Sequence, residues 1–189
     1  MATSKVQIAS NALLLLGDKP INSFDEDSDR ALIASNLWDN AAAAVLRAHP
    51  WNCATKRVAL APDTEAPDYD WSYQYAMPGD LLRVLFVGQA GAADAYKIEG
   101  RKILSDENPL YLEYVFNNED VASWDAMLVE AMTRYMAYLM AYPLTKSNTT
   151  QDTMHQGYQN ALKLARTIDG QENPPEDAGD YPLISARGI

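Results

Sequence analysis

The spacing of apolar residues changes period twice along the chain, and the changes outline its elements. From Thr3 or Ser4, either of which can cap a helix, Val6, Ala9, Leu13 and Leu16 share one helical face. Gly17 suits the left-handed position after that helix, and Pro20 prevents resumption. After a linker at Ile21–Glu26, Asp27 or Ser28 caps a second helix reaching about Ala48, with Ile33, Leu37, Ala41, Ala44 and Val45 along its expected buried side. The small side chains of Ala41–Ala44 let another helix come close. His49-Pro50-Trp51 ends this helix, because a residue before proline is pushed out of helical geometry.

From Cys53 the period falls to two. Thr55–Leu60 reads as a strand and Ala61–Asp70 as an acidic loop. Trp71, Tyr73 and Tyr75 alternate with Ser72, Gln74 and Ala76, the mark of a half-buried strand. Pro78-Gly79 makes a turn, Leu82–Val87 a more fully buried strand, and Gly88–Asp94 a loop tip. Tyr96–Glu99 and Lys102–Ser105 flank a hairpin turn at Gly100-Arg101, and Leu110, Leu112, Tyr114 and Phe116 alternate along a sixth strand.

Helical spacing returns at Ser123–Leu144, with Ser123 as expected N-cap and Pro143 ending or kinking the helix. Trp124, Leu128, Ala131, Tyr135, Tyr138 and Tyr142 form one stripe, while Met127, Met132, Met136 and Met140 make the other side apolar too. Glu130 and Arg134 are spaced for a surface ion pair. A helix apolar nearly all round is covered on more than one side. The methionine face is therefore expected to be core, to pack under the sheet, or to meet another subunit, since methionine adapts to partner surfaces. A last helix starts at Ser147–Thr150, carries Met154, Tyr158, Ala161, Ala165 and Ile168, and closes at Gly170. The pattern predicts an α+β, mainly α chain: a four-helix bundle at 1–52 and 119–170, with a small antiparallel β-sheet or barrel at 53–118 inserted between the second and third helices. An extended tail at 171–189, rich in proline and acids, has too little apolar surface for a core of its own.

At 189 residues the chain buries enough surface to need no staple, and its single cysteine offers neither a disulfide nor a thiolate cluster for zinc. A formal net charge of −11 argues against a protein that grips nucleic acid, which needs cations to displace counterions. It is compatible with surrounding DNA without holding it. Lys5 and Leu13–Leu16 look superficially secretory, but Gln7, Ser10 and Asn11 interrupt the run and no cleavage pattern follows. No stretch reaches membrane-span length, so a soluble chain is expected, intracellular or carried in a particle.

Candidate chemistry is thin. His49 lies at a helix end and His155 on a helix, and both read as structural or exposed rather than as acid-base groups. Cys53 stands near His49 but among apolar neighbours, where a thiol is a small core residue more often than a nucleophile. Asp63, Glu65, Asp68 and Asp70 read as a solvated face, and Gly88-Gln89-Ala90-Gly91 lacks the spacing of a phosphate loop. No catalytic, cofactor-binding or metal site is expected. The four tryptophans and eleven tyrosines say more, because such rings anchor cores and interfaces.

Several segments together resemble the head-to-tail adaptor (connector) proteins of tailed phages, the tail tubular protein A-like family of short-tailed phages. They are the first helix ending Leu16-Gly17-Asp18 before Pro20-Ile21, the exit Arg47-Ala48-His49-Pro50-Trp51-Asn52, and Tyr75-Ala76-Met77-Pro78-Gly79-Asp80-Leu81-Leu82-Arg83-Val84. Trp124-Asp125-Ala126-Met127 running to Tyr142-Pro143-Leu144-Thr145 completes the set. The likeness covers about residues 4–168 and rests on order and spacing, since each motif is structural punctuation.

The resemblance implies a structural virion protein and no enzyme. It implies a ring of about twelve copies between the portal protein and the tail nozzle or tail tube protein, with helices toward the portal and the β part toward the tail. DNA would pass through the lumen without specific binding during packaging and ejection, and no membrane would be involved. The protein would reside in the virion at the head–tail junction, and in host cytoplasm during assembly. Met127, Met132, Met136 and Met140 are the expected subunit interface. Tyr181, Leu183 and Ile184, beyond the residue-level likeness, are the expected portal-docking end of the tail. The alternatives are a tail-associated cell-wall hydrolase using paired carboxylates, which would clear peptidoglycan, and a non-viral helical scaffolding protein, which would bind no portal.

Overall fold

A computed structural model describes residues 3–89 and 92–172. Its elements are α1 (Lys5–Leu15), α2 (Asp29–Arg47), β1 (Thr55–Leu60), β2 (Tyr73–Ala76), β3 (Leu81–Gln89), β4 (Ala92–Ala93), β5 (Tyr96–Glu99), β6 (Lys102–Ser105), β7 (Leu110–Phe116), α3 (Ala126–Thr145) and α4 (Asn148–Glu172). Side-chain oxygens cap the first two helices: Ser4 accepts from the Gln7 N–H at 3.1 Å and Ser28 from the Ala31 N–H at 3.4 Å.

The later helices depart from the sequence reading. Ser123 closes a short 3₁₀ turn at Val121–Ser123, and Asp125 caps α3, accepting from the Met127 N–H at 2.7 Å. Pro143 sits inside the last turn of α3, which closes on Lys146 in the left-handed region (φ 54°). Helix α4 runs through Gly170 to Glu172. In α2 the buried side is rotated from the expected one: Ala31, Ala34, Trp38, Ala41, Ala42, Val45 and Leu46 are buried, and Ala44 faces out. Trp38 lies on that buried side, its ring stacked on Trp124 with centroids 6.5 Å apart.

The strands form two antiparallel sheets, not one sheet or barrel. Their orders are β1-β7-β3-β4 and β2-β6-β5. Central strand β7 shows why. Leu110, Leu112 and Tyr114 belong to a cluster with Tyr75 of β2, Val87 of β3 and Ile103 of β6, whereas Val115 belongs to the helical core. A strand apolar on both faces must be covered on both sides. The smaller sheet covers one face of β7 and the helices the other.

In β3 the residues facing the helices (Leu82, Leu85) and those facing the small sheet (Leu81, Val84, Val87) recur at intervals of three. Two register shifts against β7, between Leu81 and Arg83 and between Val84 and Phe86, account for that spacing, since each bulge adds a residue to one strand. Gly88 (φ 136°) then lets the chain double back onto β4, where a Cβ would lie 2.1 Å from the Ala92 carbonyl oxygen.

The expected four-helix bundle with a barrel split out between its second and third helices is thus corrected. The helices do not close a core among themselves. Ala54, Leu82, Leu85, Val115 and Phe116 complete it from the sheet side. Among the helices α3 is central: α1, α2 and α4 all pack on it. Tyr135 meets Tyr158 of α4 at 4.6 Å between ring centroids, and Tyr138 stacks on His155 at 4.8 Å. The expected Glu130–Arg134 ion pair forms at 2.6 Å.

Candidate functional site

The segment leaving α2 is where distant parts of the chain meet. Pro50 forces Arg47–Asn52 to turn, and the turn is pinned from inside by Trp51, whose buried indole Nε1 donates to the Val45 carbonyl at 3.0 Å. The turn presents the His49 ring, the Asn52 amide and the Ala48 carbonyl to the last turns of α4.

Asp169 receives them. Only 4% exposed, its carboxylate lies 3.1 Å from His49 Nε2 and accepts from the Asn52 backbone N–H, also at 3.1 Å. The Asn52 side chain donates back to the Asp169 carbonyl at 3.1 Å, and Arg166 Nη2 donates to the Ala48 carbonyl at 2.9 Å. A carboxylate buried this far is stabilised only when its oxygens are supplied with donors, and the α2 exit supplies one to each.

Burial lowers the His49 pKa from its ordinary 6.5. The Asp169 carboxylate opposes that shift, while the Arg166 and Arg83 charges add to it. At neutral pH the ring is therefore uncharged, and with Asp169 as a carboxylate Nε2 is the donor. The arrangement is a clamp that fixes the α4 backbone around Asp169 beside the start of β1.

The clamp does not arm Cys53. Burial pushes its thiol above the ordinary range, and His49 spends its Nε2 on Asp169, so no thiolate is held against an imidazole. His155 is exposed on α4, within 3.1 Å of Gln159. The acidic loop is tied to β6 by the Asp63–Lys102 ion pair instead of being wholly solvated. Among the described residues no group of three or more His, Cys, Asp or Glu could hold a metal ion, and no helix is long and apolar enough to cross a membrane.

The methionines expected at a subunit interface lie in the core of the single chain. Met132, Met136 and Met140 are 0% exposed and share the core cluster of Ile8, Ala12 and Leu13 from α1 and Trp38 and Val45 from α2. Met127 is half-buried against the same cluster. From the tyrosine stripe Tyr135 and Tyr138 meet α4, while Trp124 stacks on Trp38 of α2 and Tyr142 remains 46% exposed. Tyr181, Leu183 and Ile184 lie outside the described residues.

Sequence reasoning missed two polar residues that organise this region. Asp169 continues the row Ala161–Ala165 at four-residue spacing, so an acid on a buried stripe was the available signal. Asn118, 6% exposed, donates through Nδ2 to the Cys53 carbonyl at 2.7 Å and Ser123 Oγ at 2.9 Å, and its own carbonyl accepts from Trp124 Nε1 at 3.1 Å. No pattern in the chain marked it. No family model matches this chain, and no curated protein matches it.

Proposed function

We propose that this protein is a structural adaptor of a phage virion, forming a ring between portal and tail through which DNA passes. The observation that carries the reading is the order and spacing of the motifs over about residues 4–168, which resemble the head-to-tail adaptor family. The clamp supports it: His49 and Asn52, from one of those motifs, hold the helix that leads into the C-terminal segment. A fixed origin gives an extended docking segment a defined reach, which lowers the entropic cost of binding. The net charge of −11 suits a wall that repels phosphate and lets a duplex slide.

The test is binding of the full chain to purified portal protein, followed by co-sedimentation and particle imaging. The intact chain should bind and form rings on the portal. Removal of Gln171–Ile189 leaves Asp169 and its partners in place and should abolish binding while the helical circular dichroism persists. A full chain that ignores the portal would sink the adaptor reading; undiminished binding after truncation would sink the role of the tail.

A further inference from the structure

We propose that copies of this chain join side by side through two different surfaces, the outer face of α4 in one copy seating in the Phe24–Leu32 hollow of the next. The inference names the self-contact of the proposed ring and relies on that reading for the closed ring. The contact itself is argued from the surfaces.

The two surfaces lie far apart on one copy. Helix α4 packs along α3, and its outer side is exposed from Asp152 to Thr167 except where it turns inward. Its end is clamped to the exit of α2 through Asp169. The hollow lies at the other end of α2, around its first turn, and is lined by Phe24, Asp25, Asp27, Asp29 and Leu32. From Leu32 to the end of α2 is about 22 Å along the helix. Leu164, five residues before the clamped Asp169, therefore lies toward the opposite end of α2 from Leu32.

Each carries an apolar group that folding leaves uncovered. Leu32 is 60% exposed in the hollow and Leu164 is 50% exposed on α4, although both helices bury their other leucines wholly or in part. Charge then selects the pairing. The hollow is rimmed by acids, and its nearby cation, Arg30, is already paired with Asp18 at 3.5 Å and Glu26 at 3.7 Å. Helix α4 has no acid between Asp152 and Asp169 and carries Lys163 and Arg166 there. Hollow against hollow would set acid against acid, so the contact is heterologous: α4 of one copy, with Leu164 and Lys163, meets Leu32 and the acids of the next. A helix of 25 residues, about 37 Å long, offers enough length for an interface of ordinary size.

Leu32→Glu and Leu164→Glu test this in the full chain, with sedimentation velocity at rising concentration. The unaltered protein should pass beyond dimer as concentration rises. Each variant alone should remain monomeric with unchanged circular dichroism. An equal mixture of the two should form dimers and stop there, because each copy keeps one working surface of opposite kind. An unaltered chain that stays monomeric throughout, variants that associate as it does, or a mixture without mixed dimers would overturn the contact. Those failures are separable from failure of the adaptor reading, which rests on portal binding: lone copies bound to portal would lose only the contact, and self-association without portal binding would lose only the adaptor.

Discussion

His49 and Asp169 meet at 3.1 Å although 120 residues of chain separate them. The imidazole comes from the end of one helix and the carboxylate from near the end of another. Between them they tie the exit of α2 to the later turns of α4.

Replacing Asp169 by alanine should loosen that point without unfolding the whole protein. The Asn52 N–H and His49 Nε2 lose their acceptor in a part-buried site, a loss of about 1–3 kcal/mol for each donor that water does not reach. Urea denaturation should show the lower midpoint, and hydrogen exchange should rise first in the last turns of α4. Unchanged exchange there would mean that Asp169 holds nothing in place.

The same pair predicts a pH dependence. Since burial depresses the His49 pKa below 6.5 in the folded state, the unfolded chain takes up a proton that the folded chain resists. This contribution to stability is fully present above pH 6.5 and declines as pH falls through 6.5 toward the folded value. A melting-temperature series from pH 8 down to about pH 5 should slope downward more in the unaltered protein than in His49→Gln. Equal slopes would assign the acid sensitivity to other groups.

Trp51→Ala removes a ring that is 1% exposed together with its hydrogen bond to the Val45 carbonyl. Buried tryptophans replaced by alanine cost about 3–5 kcal/mol, a large share of a domain's stability. Poorly soluble protein, or a transition lowered by that amount in denaturant, is the expected result. A soluble variant with an unchanged melting temperature would contradict the packing.

Met136→Lys should unfold the chain, because an ammonium at a 0% exposed site among the apolar side chains of the helical core cannot keep its hydration. Leu164→Glu, at a 50% exposed site on α4, should fold normally. Circular dichroism on the two side by side separates core from surface; a well-folded Met136→Lys protein would restore the methionine face as a contact surface.

Local pattern carried much of this fold. Caps at Ser4 and Ser28, the proline break at Pro50, the hairpin at Gly100 and the strand alternation through β7 all depend on residues close in sequence, so they were legible without a structure. The Glu130–Arg134 pair followed from the same kind of reasoning.

Three features were not legible, each because it depends on what lies across the gap. An all-apolar helix such as α3 announces that both faces are covered, but whether its methionines meet α1 and α2 or another subunit is a question of neighbours, which spacing along one helix does not contain. Alternation marked β7 as a strand, yet Val115 on its other face joins the helical core, so the strand lies between the small sheet on one side and the helices on the other. The role of Asp169 required an acid on a buried stripe to find its donors in a turn 120 residues earlier. Sequence by itself determined where the helices and six of the seven described strands begin and end to within a few residues, because backbone preference and capping are local. The exception is β4 at Ala92–Ala93, which lies in what reads as a loop tip. Only the tertiary structure decided which faces meet, because burial is a property of pairs of surfaces and the pairing is set by the whole chain at once.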